Sequence, residues 1–313
     1  MNFRQLRTFV AIADAGGFAN ARGWLHLSQP AATRQIQALE REFGVPLFDR
    51  VGRRLRLTSE GHDLLQRSRQ LLQNADALGE RARELKGGQT GTLWVGASTQ
   101  HIETVLADFL PRYRRGHPHV SVHLVEDGGA RQPDRLEQGD VHLAFIVSGD
   151  TRFFSYKHLA PVYVLAVMPR AHRLKSHATL DIKQLSDEPL LLLHHGFGSR
   201  AWFDSACRLV HMTPRVVLES AAPHAIMALV ATGHGIGIVP SNVLIPENLL
   251  AVPLMRERTP IGQWVVIAWD PQRFLAAYAE DFVGELVSYC QKSYPNRRLT
   301  KRAPPLPRIA KSS

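Results

Sequence analysis

Four side chains at helical spacing carry the first chemistry of this chain: Gln29, Thr33, Arg34 and Gln37, in the run SQPAATRQIQALEREFGVPLF from Ser28 to Phe48. Glutamine and arginine offer the paired donors and acceptors that match base edges, and a helix entering a major groove must keep carboxylates out of its first turns. No Asp or Glu stands between Asp14 and Glu40. A solvent-facing polar helix would mix both signs of charge. The absence of acids on this face predicts contact with double-stranded DNA. Ser28 is placed to cap the helix, with Gln29 and Pro30 in its first turn, where a missing N–H is harmless.

A helix can present such a face only if its other face is held. Ala32, Ile36, Leu39 and Phe43 recur on that second face with a period of 3.6 and form a core stripe. Upstream, Asn2 is an N-cap candidate for a helix bearing Phe3, Leu6, Phe9, Val10 and Ala13, and Gly16-Gly17 stops it. A short helix from about residue 19 to 25 and a tight turn at His26-Leu27 then make a helix-turn-helix with the run above. After Leu47-Phe48, the basic stretch from Arg50 to Arg56 alternates with Leu55 and Leu57. This pattern predicts a two-stranded wing that places Arg53 and Arg54 near the DNA backbone or minor groove.

The charge distribution agrees. The 313 residues carry a net +10, but residues 1–58 hold nine Lys/Arg against four Asp/Glu, and residues 292–313 hold seven Lys/Arg and no acid. The basicity belongs to the two ends, and a basic N-terminal module suits a phosphate-bearing partner. The tail KSYPNRRLTKRAPPLPRIAKSS is rich in proline and poor in apolar periodicity, so it is expected to be disordered. The opening MNFRQLRTFV lacks the apolar core of a signal peptide, and no apolar run approaches the roughly 18 residues that span a bilayer. The expected location is the cytoplasm, away from membranes.

The stretch FANARGWLHLSQPAATRQIQALEREFGVPLFDRVGRRLRLTSEG resembles the DNA-binding domain of LysR-type transcriptional regulators, through its Ser-Gln-Pro, Arg-Gln-Ile, Leu-Glu, Gly-x-x-Leu-Phe-x-Arg and Leu-Thr-x-x-Gly elements. Ala21-Arg22 stands where the family usually has two alanines, and Gly23 where a helix former is usual. The resemblance implies a homodimer or dimer of dimers on an interrupted-dyad operator, with RNA polymerase as a further candidate partner.

From Ser59, taken as an N-cap, the sequence is helical to Lys86 and stops at Gly87-Gly88. Leu64, Ser68, Leu71, Ala75, Leu78, Ala82 and Leu85 follow a heptad, which predicts pairing with a second copy. Past Gly91, strands and helices alternate in the manner of two α/β units joined by two crossing strands, KHLAPVYVLAVMP and IGQWVVIAW. A cleft for a small ligand is expected between them. The organisation is therefore a winged helix-turn-helix over 1–58, a linker helix over 59–88, a two-lobed effector domain over 89–291 and a tail over 292–313.

The effector half resembles the family's effector domain, related in fold to periplasmic binding proteins. That resemblance implies ligand contacts at Ser98, Thr99 and Gln100 after the first strand, at Val147 and Ser148 after the third, and at Phe197, Gly198 and Ser199 in the second lobe. Ser98 and Thr99 also stand at a helix N-terminus, where N–H groups and the dipole favour an anion. Alternatively, Ser98 is simply a helix cap.

Other chemistries find little support. GHGIGIVP lacks the Lys-Ser/Thr of a P-loop and follows a helix, so it reads as a helix stop and strand start. The histidines at 117, 119, 194, 195, 224 and 234 are scattered, no nucleophile has a matching base, and neither a cofactor, a metal nor catalysis is expected. Cys207 and Cys290 form no C-x-x-C. Peroxide-responsive members of the family carry two nearby cysteines in the second lobe, whereas only Cys207 stands there in this chain; a redox-sensing regulator of this fold is the alternative reading.

Overall fold

The computed structural model describes residues 1–18, 21, 27–51, 54–85, 90–151, 153–296, 298 and 303–306. They form two units, Met1–Thr90 with Glu137–Asp140, and Gly91–Leu136 with Val141–Ser313. No helix among them is long and apolar enough to cross a membrane.

In the N-terminal unit, α1 (Phe3–Asp14) begins with a reciprocal capping box, in which Asn2 Oδ1 accepts from Gln5 N and Gln5 Oε1 accepts from Asn2 N. Gly16 and Gly17 take positive φ and stop it, as expected. The expected helix over 19–25 lies largely outside the described residues; within it, Ala21 is buried and donates to Gly17 O. Helix α2 (Gln29–Phe43) buries Ala32, Ile36 and Leu39 against Leu6, Phe9 and Ile12. Ser28 is its N-cap residue, but the side chain makes no capping bond. Strands β1 (Phe48–Val51) and β2 (Arg54–Leu57) pair antiparallel as the wing.

Helix α3 (Ser59–Leu85) departs from expectation at both its start and its seam. Thr58, not Ser59, caps it: Thr58 Oγ1 accepts from Gly61 N at 2.8 Å and donates to Pro46 O at 2.8 Å. A Cβ on Gly61 would stand 2.2 Å from Leu47 O, so the helix seats on the loop before the wing only with glycine there. Leu65 and Leu72 are buried in the domain core, and the first two heptad positions, Leu64 and Ser68, turn toward it as well. The expected seam therefore begins lower. Leu71 is 39% and Leu78 73% exposed.

In the second unit, β3 (Gly91–Ala97), β4 (Val120–Glu126) and β5 (Leu143–Val147) are parallel, with β4 at one edge. The 15-residue β6 (Ser155–Pro169) crosses between lobes. Its first part pairs with β13 (Gly262–Trp269) and its last part with β10 (Ile236–Pro240) and β11 (Leu249–Arg256). The second lobe continues through β8 (Leu190–Leu193) to the other edge, β9 (Val216–Ser220). Two short strands, β7 (Leu180–Asp181) and β12 (Thr259–Pro260), flank β11 and carry no periodic signal in the sequence.

Helices cover this sheet. Thr99–His101, a π turn Ile102–Leu106 and Ala107–Gly116 make up α4, followed by α5 (Gln132–Gln138), α6 (Gly198–Leu209), α7 (Pro223–Ala231) and α8 (Ala277–Ser293). After α7, Gly235 has φ +151, and a Cβ there would lie 2.2 Å from Pro189 O, which explains the glycines of GHGIGIVP as a helix stop packed on a strand.

The tail expected to be disordered is anchored at two points among its described residues: Tyr294 and Leu306 are 7% and 6% exposed, while Lys292, Ser293, Arg298, Pro304 and Pro305 are exposed. Apolar periodicity misses such a segment, because a proline-rich strap is held by isolated anchors.

Candidate DNA interface and effector cleft

On α2, Ser28, Gln29, Pro30, Arg34 and Gln37 are exposed and Thr33 is half-buried. They lie opposite the stripe that packs on α1. Glu40, the first acid, is held away from this face's first turns, because its carboxylate accepts from Leu47 N at 2.9 Å and braces the entry to the wing. Gln35 faces the core side, where its amide oxygen accepts from the buried Thr8 hydroxyl. Sequence reasoning missed this bond, although a glutamine one step off the exposed face was its signal. Arg53 and the Arg54 side chain lie outside the described residues, while the backbone of Arg54 pairs with Val51 in the wing.

In the second unit, the lobes meet at the C-terminal ends of their strands. A Cβ on Gly128, after β4, would lie 3.3 Å from Gly196 O, after β8. Trp202 of α6 packs against the cores of both lobes.

Ser98 is the N-cap residue of α4 but makes no capping bond. Its Oγ lies instead 3.0 Å from His101 Nδ1. His101 is buried against Phe145, and burial pushes its pKa down to about 4. Its Nε2 lies 3.2 Å from Asn242 Nδ2 and 3.3 Å from the Tyr294 hydroxyl. The neutral ring thus joins Ser98 to Asn242 and Tyr294 in one buried chain of hydrogen bonds.

Thr99 differs. Its hydroxyl donates to the Glu126 carboxylate, so it has no proton left for a second acceptor. Gln100 and Ser148 are buried at 5% and 4% exposure, next to the half-buried Val147. In the second lobe, Phe197 and Gly198 lead into α6, and Ser199 is buried in its first turn. Beside it stands Arg200, a residue that sequence reasoning overlooked. An arginine in a first turn opposes the helix dipole, and that was the available signal.

The buried Arg200 guanidinium donates from Nε to Asp204, and from Nη1 to Leu193 O at 2.7 Å and Glu219 at 2.6 Å. Burial pulls its pKa down, but the bonds to Glu219 and Asp204 outweigh it and leave the net shift upward. The same bond to Arg200 holds Glu219 below the usual carboxylate range. Arg200 therefore knits α6, β8 and β9 together.

Cys207 and Cys290 are free and buried in the cores of different lobes, where burial raises both thiols to about 12. Such thiols are poor nucleophiles. Among the described residues, no group of His, Cys, Asp and Glu could hold a metal ion.

Residues 3–62 match the bacterial regulatory helix-turn-helix family of lysR type, and residues 86–291 match the LysR substrate binding domain. The chain belongs to the LysR family of transcriptional regulators. This LysR-family chain is 30% identical to an uncharacterized HTH-type transcriptional regulator, YnfL, of Escherichia coli, over 90% of this chain and 96% of that one. It is 32% identical to the HTH-type transcriptional regulator IlvR of Caulobacter vibrioides, over 78% and 83%. Full-length CbnR complexed with its target DNA aligns with a TM-score of 0.62 at 26% identity, covering 94% of this chain and 100% of that one. A full-length OxyR variant from Pseudomonas aeruginosa shares the fold at a TM-score of 0.71 and 24% identity, over 94% and 95%. The protein is a LysR-type regulator with a substrate-binding domain, and not an enzyme.

Proposed function

We propose that this regulator reads its operator with α2, through Ser28, Gln29, Pro30, Thr33, Arg34 and Gln37, while Arg53 and Arg54 of the wing contact the backbone or minor groove. The observation that carries this reading is the exposed, acid-free face of α2, whose opposite face is consumed by the core. CbnR, 26% identical, was crystallised in complex with its target DNA, which supports DNA as the partner here. The exposed Leu71 and Leu78 favour pairing of α3 with a second copy, in a homodimer or dimer of dimers on an interrupted dyad. RNA polymerase is the partner such a regulator would address once bound.

A small effector between the lobes completes the reading. Its contacts are the Ser98 hydroxyl, Gln100, Val147, Ser148, Phe197, Gly198 and Ser199, with Thr99 acting as an acceptor. The Ser98 hydroxyl and the N–H groups of the α6 N-terminus favour an acceptor-bearing, anionic group on the ligand. Selection of bound sequences from a random DNA pool, followed by footprinting with and without a panel of carboxylates and oxyanions, tests both halves. Failure to enrich any sequence would sink the operator assignment; enrichment without any ligand-dependent footprint would sink the effector assignment alone.

A further inference from the structure

The segment after α8 crosses from one lobe to the other. Tyr294 belongs to the core of the first lobe. Two residues on, Asn296 Nδ2 donates to Ser241 O at 2.8 Å and to Val243 O at 2.6 Å, both in the second lobe. Asn296 has φ 51, a left-handed turn that asparagine tolerates better than most residues. Farther along, Leu306 is buried in a second-lobe cluster with Tyr163, Leu165 and Val167.

This route runs over the hinge. The β6 strand changes lobes at Tyr163 and Val164, where Tyr163 N donates to Ser241 Oγ at 3.1 Å, Ser241 N to Tyr163 O at 2.8 Å, and Val164 N to Ile261 O at 2.8 Å. Tyr163 OH reaches Pro304 O at 3.2 Å, and Trp264 Nε1 reaches Leu306 O at 3.2 Å. A Cβ on Gly262 would lie 3.1 Å from Leu306 Cδ1. Aromatic side chains that donate to carbonyls of a proline-rich run, with an apolar side chain in the adjoining pocket, are the chemistry by which proline-rich peptides are recognised. Pro304 and Pro305 have preset φ, so ordering them loses little entropy.

We propose that the hinge carries a groove for a Pro-Pro-Leu segment, that the chain's own residues 303–306 occupy it, and that the docked segment acts as a detachable further restraint limiting rotation of one lobe against the other. Besides the two crossing strands, the lobes are joined where Thr104 and His101 meet Asn242 and where Trp202 packs on both cores; the docked segment adds its restraint at the pivot itself, Tyr163 and Ile261. Asn296 ties the end of α8 to the second lobe by itself, and the docked residues 303–306 add bonds to Tyr163 and Trp264 at the pivot. Docking therefore resists the pivot, and release permits it.

Hydrogen exchange on the chain lacking residues 303–313 gives the test. Exchange at hinge amides of 160–166, 238–243 and 259–264 should rise at least tenfold, while the edge strands 120–126 and 216–220 stay unchanged. A synthetic peptide, APPLPRIAKSS, added at millimolar concentration should restore protection, and the same peptide with Leu306→Asp should not. Unchanged hinge exchange in the shortened chain, or no restoration by the parent peptide, overturns the proposal. If the shortened chain does not fold, the full-length Leu306→Asp protein carries the same expectation, and hinge exchange equal to the parent's rejects it. None of these measurements needs DNA or effector, so the outcome is independent of the function proposed above.

Discussion

His101 Nδ1 lies 3.0 Å from Ser98 Oγ, which ties a buried ring to the half-buried hydroxyl at the start of α4. Burial lowers the ring's pKa from 6.5 to about 4, so between those values the unfolded chain binds a proton that the folded chain refuses. The associated stability is complete above pH 6.5 and is lost as pH falls toward 4, amounting to about 3 kcal/mol. Urea unfolding of the parent should show this decline between pH 7 and 4.5, and the His101→Gln variant should show a flatter profile. Parallel profiles for the two proteins would refute the assignment.

Arg34→Ala and Gln29→Ala should each weaken specific operator binding by roughly 1–3 kcal/mol, whereas Arg53→Ala should weaken specific and random DNA alike. Anisotropy titrations on operator and scrambled duplexes separate the two signatures. Equal, negligible losses on both duplexes for Arg34→Ala would remove α2 from the groove.

Leu71→Lys combined with Leu78→Lys should dissociate the assembly and abolish operator binding, because both side chains are exposed in the single chain and gain burial only from another copy. Since neither side chain is buried within its own unit, circular dichroism should stay near that of the parent. Light scattering that shows an unchanged oligomer would place the seam elsewhere.

Gly61→Ala should destabilise the N-terminal unit by roughly 1–3 kcal/mol, since its Cβ would meet the Leu47 carbonyl at 2.2 Å. Thr58→Ala loses a helix cap, an effect of about 1 kcal/mol. Thermal melts of the full chain decide it, and a Gly61→Ala melt equal to the parent's would show that the loop yields.

Cys207 and Cys290 should resist thiol reagents in the native protein and react at once in denaturant, because both are buried with thiol pKa values near 12. Peroxide treatment followed by mass spectrometry should find no bridge between them. A native Cys207–Cys290 disulfide would restore the redox reading.

Local patterns were legible in the sequence because each rests on near neighbours. The Asn2 cap, the Ala32, Ile36 and Leu39 stripe, the wing's alternation and the stop at Gly233 to Gly235 each depend on spacing within a few residues. They identified the winged domain, the linker helix and the alternating α/β half, together with the face of α2 free to touch DNA. Tertiary structure decided what depends on residues distant in the chain. Whether the Thr99 hydroxyl points a proton at a ligand turns on Glu126, and whether Ser98 does turns on His101 and on its partners Asn242 and Tyr294, the latter 193 positions beyond His101. Likewise, no local rule foretells that Leu65 and Leu72 leave Leu71 and Leu78 outside, or that a basic, proline-rich tail finds Tyr163 and Trp264 at the hinge. A hydrogen-bond partner or a covering side chain is set by packing in three dimensions, and sequence spacing carries that information only within a single helix or strand.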